Sequence, residues 1–437
     1  DVANVTGGFH LSGTQTLSGA GTVNGAVTVD ASGDADVAAR AGVPFVVLLL
    51  LASVGLVLYM NFADGTRQHP VTGQDYIEVR DRDYFFIPAF LMFGLAIGLG
   101  VTGLIAFIRA SLAKSAAAIQ RVVLVCSALL FLLPVYALAG NYWESDRSRN
   151  YVAYDYAANM LDSADPDAVL FTYGDNDTFP LWCLQEAFGI RKDVRVVNLS
   201  LAGSKWYIRQ VREYMKVDLG NVNQIDRARA YQTPGGQYVS VSDQVRDAII
   251  ENNVGKRPIN FSTTVPPSNR KYRGNSIETR LILSGLVWRF GDSTGRGTVA
   301  VDDCLARYYD RSKFRIRGLI DPTIYKDPGT MRMVSSYTDG IVVTGDSLRK
   351  AGRLDEAEQL AQFAYDSLPY DDQVTTLLGA IYADGRKSDK LEYILTRTEG
   401  EPRKWLTIQL ARLKNKLGQK TEAEALLNQL LLAYPNY

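Results

Sequence analysis

The sequence predicts a three-part chain: a membrane anchor of three transmembrane helices, a soluble α/β domain of Rossmann-like type, and an all-α tail of tetratricopeptide-like repeats. Three observations predict it. The first third holds three uncharged apolar stretches of ~20 residues, enough to cross a hydrocarbon core as helices. The middle alternates short apolar runs with helical periods, the order that builds a parallel sheet. Towards the end, glycines and prolines recur at one fixed interval. The expected parts are a polar Gly/Ser/Thr-rich arm at 1–40, the anchor at 41–143, the α/β domain at 146–325 and the repeats at 331–437.

The anchor rests on Ala41–Ala63, Tyr84–Ile108 and Val122–Gly140. Tyr59, Tyr84, Phe85, Tyr142 and Trp143 lie at their ends, where an aromatic belt would sit, and Pro44, Pro88 and Pro134 are tolerable in membrane helices. The loop "RASLAKSAAAIQR" carries Arg109, Lys114 and Arg121 without an acid. That bias makes it cytoplasmic and places everything after Gly140 outside the cytoplasm. The arm, "FHLSGTQTLSGAGTVNGAVTVDASG", reads as a piece of β-solenoid or a flexible segment and sits awkwardly with that orientation. In "EVRDRDYFF", Arg80 and Arg82 could hold a lipid phosphate, or join Glu78, Asp81 and Asp83 in an interfacial ion-pair cluster.

The α/β domain starts with a helix in "RNYVAYDYAANMLDSA". "DAVLFTYG" and "DVRVVNLSL" read as strands, "PLWCLQEAFGI" and "SKWYIRQVREYM" as helices, the latter capped by Ser204, and "VSDQVRDAIIENN" with "RPINFSTTV" as a further helix and strand. Ligands of such sheets lie beyond the carboxyl ends of the strands. Asp175, Asn176, Asp177 and Asn198 fall there and are the candidate ligand-binding residues. Asp175 and Asp177 form an Asp-x-Asp pair able to share a divalent metal on a diphosphate. The same pattern also serves as helix punctuation, with Asp177 or Thr178 capping the helix, Asp175 bonding turn amides and Pro180 opening the helix. Trp182 and Trp206, with Tyr207, could stack on a sugar ring or be core. No Gly-rich phosphate loop precedes a helix and no Ser-His-Asp set can be assembled, so no catalytic residue is assigned.

In the tail, Gly352, Gly385 and Gly418 share an interval of about 33 residues, one short of the tetratricopeptide 34. Pro369, Pro402 and Pro435 keep the same step, as do Ala357, Lys390 and Ala423, and Leu360, Tyr393 and Leu426. Stacked helical hairpins of this kind commonly bind other proteins.

Composition narrows the function classes. Lys+Arg 47 and Asp+Glu 47 cancel, so no global field draws the chain to nucleic acid, and no nucleic-acid partner is expected. Cysteines are three, Cys126, Cys183 and Cys304, and histidines two, His10 and His69. Without a CxxC or Cys/His cluster a zinc site of such ligands is not expected, and the cofactor stays open. Cys126 is expected in the membrane; Cys183 and Cys304 could pair, though spacing does not decide it. Asn4, Asn198 and Asn260 stand in glycosylation sequons. A chain that begins at Asp1 rather than Met is expected to be processed or a fragment.

"EVRDRDYFFIPAF", "NYVAYDYAANML", "LFTYGDNDTFPLWCLQEAFGIRKDVRVVNLSL" and "WYIRQ" carry a resemblance. From about Pro44 to Arg212 the chain resembles a bacterial family of multi-pass membrane proteins of mostly unassigned function, related to protein O-mannosyltransferases. The resemblance implies residence in the bacterial inner membrane and an N-terminal block of membrane helices like that of polyprenyl-phosphate-sugar glycosyltransferases, which would carry the acidic base. Here the polar arm and three apolar stretches stand where that block should be. The expected function is therefore a membrane-anchored structural or accessory subunit, docking other subunits of a larger membrane complex through its transmembrane helices and repeats. The alternative is the substrate-handling part of an O-mannosyltransferase-like glycosyltransferase that uses a polyprenyl-phosphate sugar.

Overall fold

The computed structural model describes residues 43–63, 66–68, 75–77, 83–111, 116–291, 298–312, 314–368 and 370–434. The chain divides into two compact units, Asp1–Leu138 and Ala139–Tyr437.

The first unit is built from apolar helices. A helical stretch at 43–50 (α1) runs through a π turn, Leu51–Gly55, into α2 (Leu56–Ala63). A short antiparallel pair follows, β1 (Thr66–Gln68) with β2 (Asp75–Ile77). Then come α3 (Ile87–Ser111) and α4 (Ala116–Ser145), whose end belongs to the second unit. Among the described residues one helix is long and apolar enough to cross a membrane, Ile87–Phe107, 21 residues with mean hydropathy 2.2. Its large side chains Phe90, Leu91, Phe93, Leu99 and Phe107 are exposed, the all-round apolar surface of a helix that needs an apolar solvent. This corrects the expectation of three transmembrane helices. Val43–Tyr59 is apolar but shorter. With one such span, the loop charges no longer fix a multi-pass topology or the side on which the second unit lies.

The second unit opens with α5 (Val152–Ser163), then β3 (Val169–Thr172), α6 (Asp175–Phe188), β4 (Arg195–Asn198) and α7 (Lys205–Glu213). Next come the short α8 (Val222–Asp226), a hairpin of β5 (Tyr231–Gln232) and β6 (Tyr238–Val239), α9 (Val241–Asn253) and β7 (Ile259–Ser262). A second small hairpin, β8 (Lys271–Tyr272) with β9 (Asn275–Ser276), precedes β10 (Leu281–Ser284), β11 (Val287–Phe290), β12 (Thr298–Val299) and α10 (Val301–Tyr309).

Six strands form one sheet in the order β12-β10-β11-β7-β3-β4. β7, β3 and β4 run parallel, but β11 is antiparallel to both β7 and β10. The sheet is therefore mixed, which corrects the Rossmann-like expectation. The cause is a tight hairpin in "LILSGLVWRF": Ser284 pairs with Val287 across Gly285 and Leu286. Gly285 has φ +60, and a Cβ there would run into Ser163 Oγ, so only glycine closes the turn. A Ser-Gly between two apolar runs was the available hairpin signal.

Strand alternation sorts the core. Leu170 points to one apolar cluster, with Tyr156, Leu161 and Leu283, while Val169 and Phe171 point to another, with Tyr207, Ile249 and Phe261. The first cluster continues without a break into the tail through Tyr337, Leu348, Leu360, Leu378 and Leu410. The tail consists of α11 (Pro328–Lys350), α12 (Leu354–Ser367), α13 (Asp372–Asp384), α14 (Ser388–Thr396), α15 (Gly400–Lys416) and α16 (Lys420–Ala433). Its helices pair as hairpins, and their apolar core is continuous with that of the sheet. Gly352 (φ +78) and Gly418 (φ +84) follow α11 and α15 in left-handed conformation; after α13 that conformation falls on Arg386 (φ 57), one residue beyond Gly385.

Candidate functional site

The carboxyl ends of β3, β4 and β7 converge on the start of α6. β3 stops at Thr172, and Gly174 takes φ 90, ψ 175, a region closed to L side chains. The backbone thereby turns straight into α6, which begins at Asp175 and carries Pro180 inside it rather than at its opening. No side chain caps the helix, so neither Asp177 nor Thr178 acts as the expected N-cap. Ser204, at the N-cap position of α7, likewise makes no side-chain cap bond.

Two buried hydrogen-bond systems hold this junction. In the first, the Thr178 hydroxyl donates to the Gly174 carbonyl at 2.8 Å and accepts from Asn198 Nδ2 at 2.8 Å. Its single proton being used, it accepts from Thr172 Oγ1 at 2.8 Å as well. Asn198 Oδ1 accepts from the amides of Ser200 (2.7 Å) and Leu201 (3.1 Å), and the Asn198 amide donates to the Tyr207 hydroxyl at 2.8 Å. Asn198 is thus a fully engaged strut between β4, α6 and α7.

In the second, Asp177 is 3 % exposed. Its Oδ1 accepts from Tyr156 Oη at 2.8 Å, and its Oδ2 accepts from Ser262 Oγ at 3.0 Å and from the Thr264 hydroxyl. Tyr156 Oη also lies 3.3 Å from Ser336 Oγ on α11. Burial raises the Asp177 pKa, and the three hydroxyl bonds act against that rise. Burial, with the Asp177 charge second, holds the Tyr156 hydroxyl well above its ordinary value. One carboxylate therefore links α5, α6 and β7.

The structure separates the remaining candidates. Asp175 is exposed and Asn176 half-buried, so the two carboxylates of the Asp-x-Asp pair do not share an accessible surface. Among the described residues no group of three or more His, Cys, Asp or Glu could hold a metal ion. Trp182 is half-buried, its ring 5.8 Å from Phe179 and 6.1 Å from Tyr207. It lines a cleft of about 480 Å³ with Gln185, Lys192 and Tyr214, whereas Trp206 is exposed and meets Tyr207 edge-on at 5.4 Å. Arg80 and Arg82 lie outside the described residues, as does Asn4. Asn198 and Asn260 are fully buried, which closes both sequons to modification of the folded chain. Cys183 and Cys304 are unpaired, exposed and buried respectively, and Cys126 is also free.

Sequence reading missed Tyr156, Ser262 and Thr264. The run of hydroxyls after β7 was a signal, but only the fold shows that β7 neighbours β3. Sequence reading also missed a polar cleft of about 470 Å³ beside the end of β4. Tyr231, Tyr238, Asp243, Arg246, Asp247 and Lys271 are among its lining residues. Arg246, itself buried, bridges Asp243 (2.7 Å) and Asp247 (2.9 Å).

Residues 153–233 match the sequence profile described as TMEM260-associated domain 2. The match runs from α5 to the β5–β6 hairpin and so contains the α6 junction. No solved structure matches the chain.

Proposed function

We propose that this chain is a membrane-anchored accessory subunit, which presents a rigid folded body to an O-mannosyltransferase-related membrane system and leaves the transfer chemistry to a partner. The observation that carries this reading is the Asp177 carboxylate. Its bonds go to three side-chain hydroxyls inside the protein, and it is closed to solvent. A carboxylate so engaged and closed to solvent braces the fold and is out of reach of a substrate or a metal ion in solution. The matched profile supports the setting, because its family is linked to TMEM260, an O-mannosyltransferase-related protein. The apolar α3 supports membrane attachment. Exposed aromatics on α6 and α7, Phe179 and Trp206, offer a face for a partner.

Mild detergent extraction and affinity capture of the full chain test this. The expected result is a stoichiometric membrane protein in the eluate, lost on the double change Phe179→Ser with Trp206→Ser. Sugar transfer from a polyprenyl-phosphate donor by the purified chain alone would overturn the accessory reading.

A second reading, substrate handling for such a transferase, is favoured by the polar cleft at the end of β4, where tyrosines, carboxylates and Arg246 meet. Its test is binding of a short-chain polyprenyl-phosphate sugar, weakened by Asp247→Asn.

A further inference from the structure

The last helices of the tail present a face that the tail covers everywhere else in the same register. α13 lies across α11 and α12, and α15 lies across α13 and α14. The surfaces beneath each added helix are closed. Thr375 on α13 is 0 % exposed and Ile394 on α14 is 1 % exposed. Gly379, one turn beyond Thr375, has no room for a Cβ because Leu406 of α15 stands against it. One interval earlier than Ile394, Ala361 on α12 is again 0 % exposed. The same interval carries these positions forward to Ile408 on α15 and Leu427 on α16. No described helix lies over them: Ile408 is half-buried and Leu427 is 40 % exposed.

This face is apolar where the outer surface of a stacked helical array is ordinarily polar. Leu431 follows Leu427 by one turn and is 51 % exposed, whereas Thr398, one interval before it, is fully buried. α15 supplies a wall of another kind. Arg412 holds the register position of Gly379, and Lys416 lies one turn further on. Both are exposed, as is Lys420 at the start of α16, and none of the three forms an ion pair among the described residues. Glu422 is already engaged by Lys414, which leaves Glu424 as the acid on the stripe of Leu427 and Leu431. Three free bases thus flank the leucines against one acid.

We infer that this face docks an amphipathic helix of another protein. Its apolar side chains would seat among Ile408, Leu427 and Leu431, and acidic residues on its flank would meet Arg412 and Lys416. The fold itself argues for a helix, because it lays one over the matching positions Ala361, Thr375 and Ile394. Charge argues for an acidic partner over a second copy. An isologous contact between copies would set the same bases against one another, which costs free energy. Arg412 also stands where Gly379 admits Leu406, so the close apolar approach used inside the tail is not repeated here. The inference does not rest on the Phe179 and Trp206 face, and either can fail without the other.

Synthetic helical peptides test this on the full chain in a mild detergent. One carries leucines at every third and fourth position with glutamates on the flanks, and a twin carries lysines for the glutamates. A scrambled glutamate peptide of the same composition measures attachment to the micelle. Fluorescence anisotropy should show binding of the ordered glutamate peptide alone. That binding should weaken about tenfold with Leu427→Ser plus Leu431→Ser, and likewise with Arg412→Glu plus Lys416→Glu. The charge reversal should in turn admit the lysine twin. All four residues are exposed, and far-UV circular dichroism checks that the variants fold. Equal binding of all three peptides, binding indifferent to both double changes, or no binding would overturn the inference. So would a dimer of the parent in sedimentation that the double leucine change dissociates, since a second copy would then cover the face.

Discussion

The α6 junction and the helical tail are both buried, yet they are held in different ways. The junction is polar: Thr172, Thr178, Asn198, Asp177, Ser262 and Tyr156 are all buried and joined by side-chain hydrogen bonds. The tail is apolar and close-fitting, with Ala357, Leu360, Ala361, Leu378 and Leu410 at 0–2 % exposure. Gly379 sits so tightly that an added Cβ would strike Leu406 and approach Trp405 to 3.4 Å. A polar junction is directional and fails when a partner is missing; an apolar one is indifferent to direction and fails when volume or charge is wrong.

That contrast can be broken most forcefully in the tail. Ala361→Asp places an uncompensated charge in the shared core and should cost about 3–5 kcal/mol. Urea unfolding of the full chain measures it. Because tail and sheet share one apolar cluster, the loss should appear in a single transition that includes the sheet; a separate early transition of the tail would mean the two are independent.

At the junction, Asp177→Ala strands the hydroxyls of Tyr156, Ser262 and Thr264 and should cost about 2 kcal/mol. Asp177→Asn keeps the shape and one of the two acceptor oxygens, removes the buried charge, and should stay within about 1 kcal/mol of the parent. Its pH dependence gives the sharper reading. Burial raises the folded-state pKa of Asp177 above its ordinary 3.8. The native state therefore holds the proton more tightly than the unfolded chain. That contribution is full below the unfolded value and is lost as pH rises through the folded one. The asparagine variant lacks this loss, so its stability relative to the parent should improve from about pH 4 to about pH 7. A constant difference across that range would place the Asp177 carboxylate in contact with solvent.

The tail's regularity suggests a gain rather than a loss. Gly352 and Gly418 occupy left-handed positions freely, but Arg386 does so at φ 57. Arg386→Gly should stabilise by up to about 1 kcal/mol, read as a raised midpoint in the same denaturation. No gain would mean that its side chain contributes more than the backbone conformation costs.

The two regions also differed in how far the sequence exposed them. The tail's helices were legible because Gly352, Gly385, Gly418 and Pro402 repeat along the chain, and helix ends are local features. That they complete the sheet's core was not legible, since nothing in Tyr337 or Leu360 announces a contact with the sheet side. At the junction, strand, turn and helix could be read around Gly174, and the residues at the strand ends were correctly located. The direction of each carboxylate could not. Asp175 and Asp177 stand two apart on one helical turn, and on a helix such neighbours face different ways. The β10–β11 hairpin, which makes the sheet mixed, was hidden because "LILSGLVWRF" reads as one long apolar run unless Gly285 is taken as a turn. The membrane helices were over-counted from the same cue, apolar length alone.

Asp175 supplies the smallest effect and the cleanest control. It lies in the first turn of α6, where a negative charge interacts favourably with the exposed amides of the helix start. It is exposed, so that interaction is screened and falls toward the lower end of about 0.3–1 kcal/mol. Asp175→Asn should therefore lower stability by less than about 0.5 kcal/mol, with the loss shrinking further at high salt. Side by side with Asp177→Asn, it separates two carboxylates that the sequence presents as one pair. If a divalent ion spans them, calorimetry with manganese should show heat for the parent and none for either variant. If they work apart, as their burial indicates, manganese gives no heat for the parent, and the Asp177 substitution alters how stability changes with pH.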